Sequence, residues 1–293
     1  MPSLPVWLRV RAPSPRQAED MEAVRAVLSE ERLRTICQGA RCPNTVECWS
    51  ARTATFLLLG DVCTRACRFC AVTHAATGRD VDPGEAQRVA AAVERLGLRY
   101  VVLTSVDRDD LFDGGASTIV DTVRAIKRSM PEARVEVLLP DFGGDTRALS
   151  RILASEADVL GHNVETVRRL SPLLRDRRAS YQRSLDVLAS LSLSCGGRRV
   201  KSGLMLGLGE SLDEVQEAMS DLRKVGVTSL TLGQYLSPSR HAAPVHRYVC
   251  PEEFDALALA ARALGFTTVA SGPLVRSSYH AEAAARPCDS SST

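Results

Sequence analysis

Apolar positions change their spacing several times along the chain. Over residues 1–14 the prolines Pro2, Pro5 and Pro13 block helix and predict an extended lead-in. Ser14 followed by Pro15 reads as a capped helix start, and Met21, Val24, Val27 and Leu28 supply one apolar face. After Thr35 a non-periodic, cysteine-bearing segment runs to about Arg52. Short continuous apolar runs then alternate with amphipathic helical patterns. Strands are expected at 54–59, 100–106, 134–139, 159–163, 201–206 and 229–235, with a last short one at 267–270. Helices are expected at 84–96, 118–129, 146–155, 166–170, 181–191, 212–225 and 252–264.

About six strand–helix units in a row specify an α/β fold whose parallel sheet is covered on both faces. Right-handed crossovers wind such a sheet into a barrel or an open, doubly wound form, and six units fall short of the eight of a full barrel. In either form the site belongs at the carboxyl ends of the strands. Polar clusters stand there: Thr104 to Asp110, Pro140-Asp141-Phe142-Gly143-Gly144, His162-Asn163, Gly207-Leu208-Gly209-Glu210 and Gln234-Tyr235. Helix capping and turn chemistry account for some of them. The tail from 281 to 293 reads as frayed.

Composition narrows the class. Hydrophobic residues at 45% and charged residues at 25% are ordinary globular values, and a net charge of +2 gives no reason to expect nucleic-acid binding. Lys127, Lys201 and Lys224 are the only lysines, so the positive charge is almost all arginine. No apolar run is long enough to span a bilayer, and the proline- and arginine-bearing start does not resemble a signal peptide. A reducing cytosol is therefore expected, where nine cysteines serve as ligands or catalysts rather than disulfides.

Six of the nine fall in two triplets. Cys63, Cys67 and Cys70 follow the first barrel strand in a Cys-x3-Cys-x2-Cys loop, which folds around three corners of a four-iron cluster and leaves one iron open for substrate. A zinc knuckle short of one ligand is the competing reading. This spacing, directly after a strand, resembles the signature of radical S-adenosylmethionine (SAM) enzymes. Cys37, Cys42 and Cys48 form a second triplet with a different Cys-x4-Cys-x5-Cys spacing, again lacking a fourth ligand, and zinc stays open for it on spacing alone. Cys195, Cys250 and Cys288 stand singly and read as incidental thiols.

The chain resembles the lipoyl synthases from Trp7-Leu8-Arg9 to Arg276-Ser277-Ser278-Tyr279. The likeness is carried by Cys42-Pro43-Asn44 with Glu47-Cys48-Trp49, by the 63–70 loop, by Thr104 through Leu111, and by Pro140-Asp141-Phe142. It continues through His162-Asn163-Val164-Glu165-Thr166-Val167, Lys201-Ser202-Gly203, Gly207 to Glu210, Gly233-Gln234-Tyr235-Leu236 and 271–279. The resemblance implies a partial (β/α)6 barrel of the radical SAM type over 53–270, an N-terminal extension over 1–52, and a C-terminal segment over 271–293. It implies two 4Fe–4S clusters. The one on Cys63, Cys67 and Cys70 would bind SAM and cleave it to a 5′-deoxyadenosyl radical, which takes hydrogen from the sixth and eighth carbons of an octanoyl-lysine group. The one on Cys37, Cys42 and Cys48 would be consumed as sulfur source, with Ser278, or its neighbour Ser277, as fourth ligand. A weakly held serine oxygen suits a cluster that must open.

The same resemblance places Asp113 and Gly114 at the SAM amino group and Gly207 and Glu210 near its adenosine, although glycines there also suit tight turns. Asp107, Arg108, Asp109 and Asp110 become rim residues or structural salt bridges. His162 becomes a ligand-polarising group or a satisfied core histidine. Expected partners are an octanoylated carrier (a dehydrogenase-complex lipoyl domain or glycine-cleavage H protein), a ferredoxin or flavodoxin, and an iron–sulfur carrier, with no nucleic acid or membrane. Gly161, Gln38-Gly39 and Ser117 depart from the family pattern, which keeps open a two-cluster enzyme of different substrate. A zinc-stabilised scaffold is the reading from another class.

Overall fold

Strands that are apolar throughout need cover on both faces, and every residue of β1 (Thr53–Leu58) and β8 (Ser229–Gln234) is buried. The computed structural model describes residues 4–10, 12–39, 42–51 and 53–278. Within them β1, β4 (Tyr100–Ser105), β5 (Arg134–Leu138), β6 (Val159–Gly161), β7 (Arg199–Leu206), β8 and β9 (Thr268–Gly272) form one seven-stranded sheet in that order. All six pairings are parallel, and β1 and β9 end the order without pairing to each other. This is the α/β parallel sheet expected from the alternating pattern, in the partial-barrel form that the family resemblance implies. Helices α4 (Glu85–Leu96), α5 (Ala116–Ser129), α6 (Thr146–Leu153), α8 (Tyr181–Ser194), α9 (Leu212–Lys224) and α10 (Pro251–Ala263) fill the crossovers.

Local chemistry sets the helix ends. In α1 (Pro15–Glu30) the Ser14 hydroxyl accepts the Gln17 N–H while the Gln17 side chain accepts the Ser14 N–H, and Ser211 and Glu214 repeat this reciprocal cap at α9. Gly97 closes α4 in a left-handed conformation. One face of the sheet carries a buried charge pair. Lys201 of β7 reaches past β6 to Glu136 of β5 at 2.7 Å, and the Tyr100 hydroxyl donates to the other Glu136 oxygen at 2.6 Å. Lys201 and Glu136 thus satisfy each other's charge inside the barrel and tie β7 to β5.

The structure departs from the sequence pattern in four places. The stretch expected as a helix at 166–170 is a turn. Its backbone partners lie on β7: Glu165 N–H donates to Gly203 O, and Met205 N–H to Glu165 O, so the chain stays extended after β6. The threefold spacing of Val164, Val167 and Leu170 is burial by a coil, and only the single-turn α7 (Ser171–Leu174) follows. The segment taken as non-periodic holds two short helices, α2 (Ile36–Gly39) and α3 (Thr45–Ser50). A small parallel pair, β2 (Val62–Cys63) with β3 (Thr73–His74), is too short to leave a pattern. A 3-10 turn at Val6–Leu8 interrupts the extended lead-in. The tail expected to fray from 281, together with Tyr279 and Cys288, lies outside the described residues.

The N-terminal arm caps the β1 edge. Thr35 bridges Phe56 antiparallel, and the Leu57 N–H donates to Arg34 O, which covers an otherwise open sheet edge. This brings α2 and α3 to the barrel wall.

Candidate active site

Pairing of β2 with β3 pinches the base of the 63–70 loop, and Ala75 N–H donates to Cys63 O. Thr64 N–H bonds Asp107 O, and Arg68 N–H bonds Leu174 O, so the loop is held from two further elements. Each of its sulfurs accepts one backbone N–H: Cys63 from Arg65 at 3.4 Å, Cys67 from Asp176 at 3.3 Å, and Cys70 from Val72 at 3.4 Å. Burial pushes the Cys63 thiol up to about 11 and the Cys67 thiol up to about 12. Thiolates in such a place need a cation to hold their charge, and N–H donors aimed at sulfur are how proteins hold iron–sulfur clusters and tune them.

Arg65 anchors this loop from within. Its side chain is 3% exposed and faces three carboxylates: Asp109 through two nitrogens at 3.0 and 2.7 Å, Asp141 at 2.6 Å, and Asp107 at 3.2 Å. Arg108 forms a separate pair with Asp110 at 2.8 Å. The acidic rim run therefore serves as structural salt bridges, with Asp107 alone of its members also lining the cavity beside the cysteines.

In the second triplet, Cys37 lies on α2, Cys42 just beyond it and Cys48 on α3. Burial first, and then the neighbouring sulfurs, push Cys37 up to about 11 and Cys48 up to about 12. Cys37 and Cys42 also line one cavity. Among the described residues no group of three or more His, Cys, Asp or Glu side chains is placed to hold a single metal ion.

Two adjoining cavities connect the triplets. One of about 220 Å3 is lined by Cys63, Cys67 and Cys70 with Asp107, Asp141 and Asn163. Its wall includes three residues with buried polar atoms that lack partners, Ser105 Oγ, Asp141 Oδ2 and Asn163 Oδ1, the condition of a wall shaped for a polar ligand. The other, about 310 Å3, is lined by Cys70 together with Cys37, Cys42 and Ser278. Apolar side chains such as Ile36, Phe69, Val102 and Leu138 fill much of its lining.

The serine turn is clamped over this second cavity. Asn44 donates to Leu274 O at 2.6 Å, and Asn163 donates to Ser277 Oγ at 2.8 Å. Gly233 lets the segment approach, since a Cβ there would collide with the Val275 carbonyl. Arg276 is beside Cys42, where its charge favours the thiolate.

Other expected site residues are placed elsewhere. Gly207 and Glu210 line neither cavity; the Glu210 carboxylate accepts the Gly207 and Leu208 N–H groups at 2.6 and 2.9 Å and closes the turn before α9. Gly203, Leu204 and Met205, earlier on the same strand, form the wall instead. Asp113 accepts from Gly115 and Ser117 at the start of α5, and Gly114 packs on Phe142. Both border a separate cavity of about 230 Å3 on the far side of Arg65 and Asp107. In the fold these four residues make turn and cap contacts, the glycines at positive φ and the carboxylates as acceptors of backbone N–H groups.

His162 is a satisfied core histidine. Its Nδ1 lies 2.9 Å from Leu139 O and its Nε2 2.8 Å from Ser184 Oγ. Burial, reinforced by Arg175, lowers its pKa from 6.5 to about 4. A depressed folded-state pKa gives stability that is complete above pH 6.5 and is lost as pH falls toward 4, in total on the order of 3 kcal/mol. Urea unfolding across that window should show a shallower acid loss in His162→Gln than in the wild type; equal slopes would contradict the assignment.

Residues 57–222 match the model of the Radical SAM superfamily. The lipoyl synthase of Pyrobaculum arsenaticum is 55% identical over 284 residues, covering 96% of this chain and 95% of its own. That of Deinococcus radiodurans is 51% identical over 278 residues, covering 95% and 83%. The chain belongs to the lipoyl synthase family. As a lipoyl synthase it is a radical SAM sulfurtransferase: with SAM and two 4Fe–4S clusters it inserts sulfur into a protein-bound octanoyl group to give lipoyl-lysine. Its substrates are octanoylated lipoyl-domain proteins. Solved structures share the lipoyl synthase fold at low identity. Streptococcus suis SuiB bound to S-adenosylmethionine aligns with TM-score 0.59 at 10% identity over 78% of this chain and 54% of its own. The FeFe-hydrogenase maturase HydG from Carboxydothermus hydrogenoformans aligns with 0.57 at 14% over 87% and 65%. Among the described residues no helix is long and apolar enough to cross a membrane.

Proposed function

We propose that Cys63, Cys67 and Cys70 hold the SAM-cleaving cluster, and that Cys37, Cys42, Cys48 and Ser278 hold the cluster that gives up its sulfur. The cavity lined by Cys70 together with Cys37, Cys42 and Ser278 carries this reading, because one alkyl chain inside it meets both sites. When bound, the clusters and SAM supply a carbon radical and the sulfur that replaces hydrogen on the sixth and eighth carbons. Those carbons are unactivated, so the protein's part is to orient the chain and exclude water. Apolar residues around 310 Å3 suit an octanoyl tail, and the unpartnered polar atoms beside Cys63 suit SAM. Asn163 occupies Ser277, which supports Ser278 as the iron ligand. In functional terms, 53–270 supplies one site, and 1–52 with 271–293 supplies the other.

The departures from the family pattern fall away from this space. Gly161, Gln38, Gly39 and Ser117 line neither cavity; Gln38 bonds Thr35, and Ser117 bonds Asp113. That favours octanoyl-lysine over another substrate. We assign as carriers a dehydrogenase-complex lipoyl domain or glycine-cleavage H protein, as electron donor a ferredoxin or flavodoxin, and as cluster restorer an iron–sulfur carrier. A cytoplasmic site of action agrees with eight described cysteines that are all free of disulfides. Oxygen-free protein given reductant, SAM and an octanoyl-lysine peptide should yield 5′-deoxyadenosine and a peptide gaining two sulfurs by mass. Nucleoside without sulfur gain would refute the sulfur-inserting assignment.

A further inference from the structure

Trp49 is 3% exposed, and its indole Nε1–H is buried with no acceptor in hydrogen-bond geometry among the described residues. It follows Cys48 on α3, and its indole lies beside the Cys37 sulfur. Thr55 of β1 approaches the same sulfur through its backbone and hydroxyl. An indole nitrogen only donates, and a neutral thiol is a poor acceptor. A thiolate is a strong one. The buried donor therefore has a strong acceptor beside it only when the Cys37 sulfur is bound to iron as a thiolate.

We propose that Trp49 is a positioning residue that donates its indole N–H to the Cys37 sulfur when that sulfur is an iron-bound thiolate, raising the reduction potential of the N-terminal cluster. This rests on Cys37, Cys42 and Cys48 holding a cluster. Hydrogen bonds to sulfur stabilise the more negative, reduced form and so make a cluster easier to reduce. The contrast with the barrel triplet is instructive: its three sulfurs are bonded by backbone N–H groups, which substitution leaves in place. At Cys37 the Trp49 indole is a side-chain donor, so its effect can be deleted without touching a ligand.

The test uses the full chain with Cys63, Cys67 and Cys70 changed to alanine, so that one cluster remains to be read. Adding Trp49→Phe keeps an aromatic ring in the core and removes the N–H. Iron and sulfide content should be unchanged, while the midpoint potential, followed by paramagnetic resonance during redox titration, shifts downward. An unmoved potential with full iron content overturns the proposal alone. A triple-alanine parent that binds no iron overturns the assignment of the N-terminal triplet, and the proposal with it. Should Trp49→Phe fail to fold, the parent labelled with 15N-indole tryptophan replaces it. Pulsed paramagnetic resonance of the reduced cluster should then show a nitrogen coupling, and its absence overturns the proposal.

Discussion

Cys37→Ala should leave SAM cleavage largely intact and abolish sulfur insertion, whereas Cys67→Ala should abolish both. The difference follows from where the two sulfurs sit. Cys67 belongs to the loop fixed by β2, β3, Arg65 and the Leu174 carbonyl, and its sulfur takes the Asp176 N–H. Cys37 lies on α2, lines the cavity of about 310 Å3 and is absent from the wall of the smaller cavity beside Cys63 and Cys67. Removing it deletes one corner of the N-terminal site and leaves every hydrogen bond around the barrel loop in place. Both readouts come from one tube: 5′-deoxyadenosine by chromatography and sulfur gain by mass of the peptide. Loss of nucleoside formation in Cys37→Ala would show that the sites do not act separately, since a residue needed only for sulfur transfer cannot slow the earlier step.

Much of the barrel is legible because most strands are largely apolar runs and several helices begin at a readable cap, as Ser14-Pro15 and Ser211 show. The cysteine triplets are legible because the three members of each stand close together along the chain. What escapes is long-range. Asn44 meets Leu274 across 230 residues, and Asn163 meets Ser277 across 114. Neither has a local pattern, although Asn44 stands next to the prolyl turn after Cys42. Glu165 misleads because its φ of 68° and its β7 partner are tertiary facts laid over helix-like spacing. Gly207 and Gly114 show a different limit: the family pattern singles them out, and both also hold positive φ with close neighbours, a demand of the fold that sequence alone does not separate from ligand contact.

Arg65 had no motif of its own, yet its replacement has the largest structural consequence after the cysteines. In Arg65→Met, Asp107, Asp109 and Asp141 lose a cation that is 3% exposed and bonds all three. Breaking a buried pair by removing one partner costs about 3–5 kcal/mol, because the remaining charge is desolvated and unopposed. Arg65→Lys should recover little, since one ammonium cannot make paired bonds to Asp109 while also reaching Asp141. Burial alone would raise the Asp109 and Asp141 pKa values, but Arg65 holds both below the usual carboxylate range. The stability they contribute is therefore present above that range and is lost as pH falls through it. In Arg65→Met these carboxyls instead take up protons more readily, so the deficit against wild type should be greatest near neutral pH and shrink on acidification. Because Arg65 lies between Cys63 and Cys67 and its own N–H bonds the Cys63 sulfur, iron held by the barrel loop should fall with it, and SAM cleavage too. Urea unfolding at several pH values, with iron content measured in parallel, checks each part. A variant that keeps wild-type stability near neutrality and its full iron would show that the three carboxylates find other partners, and that Arg65 does not anchor the loop.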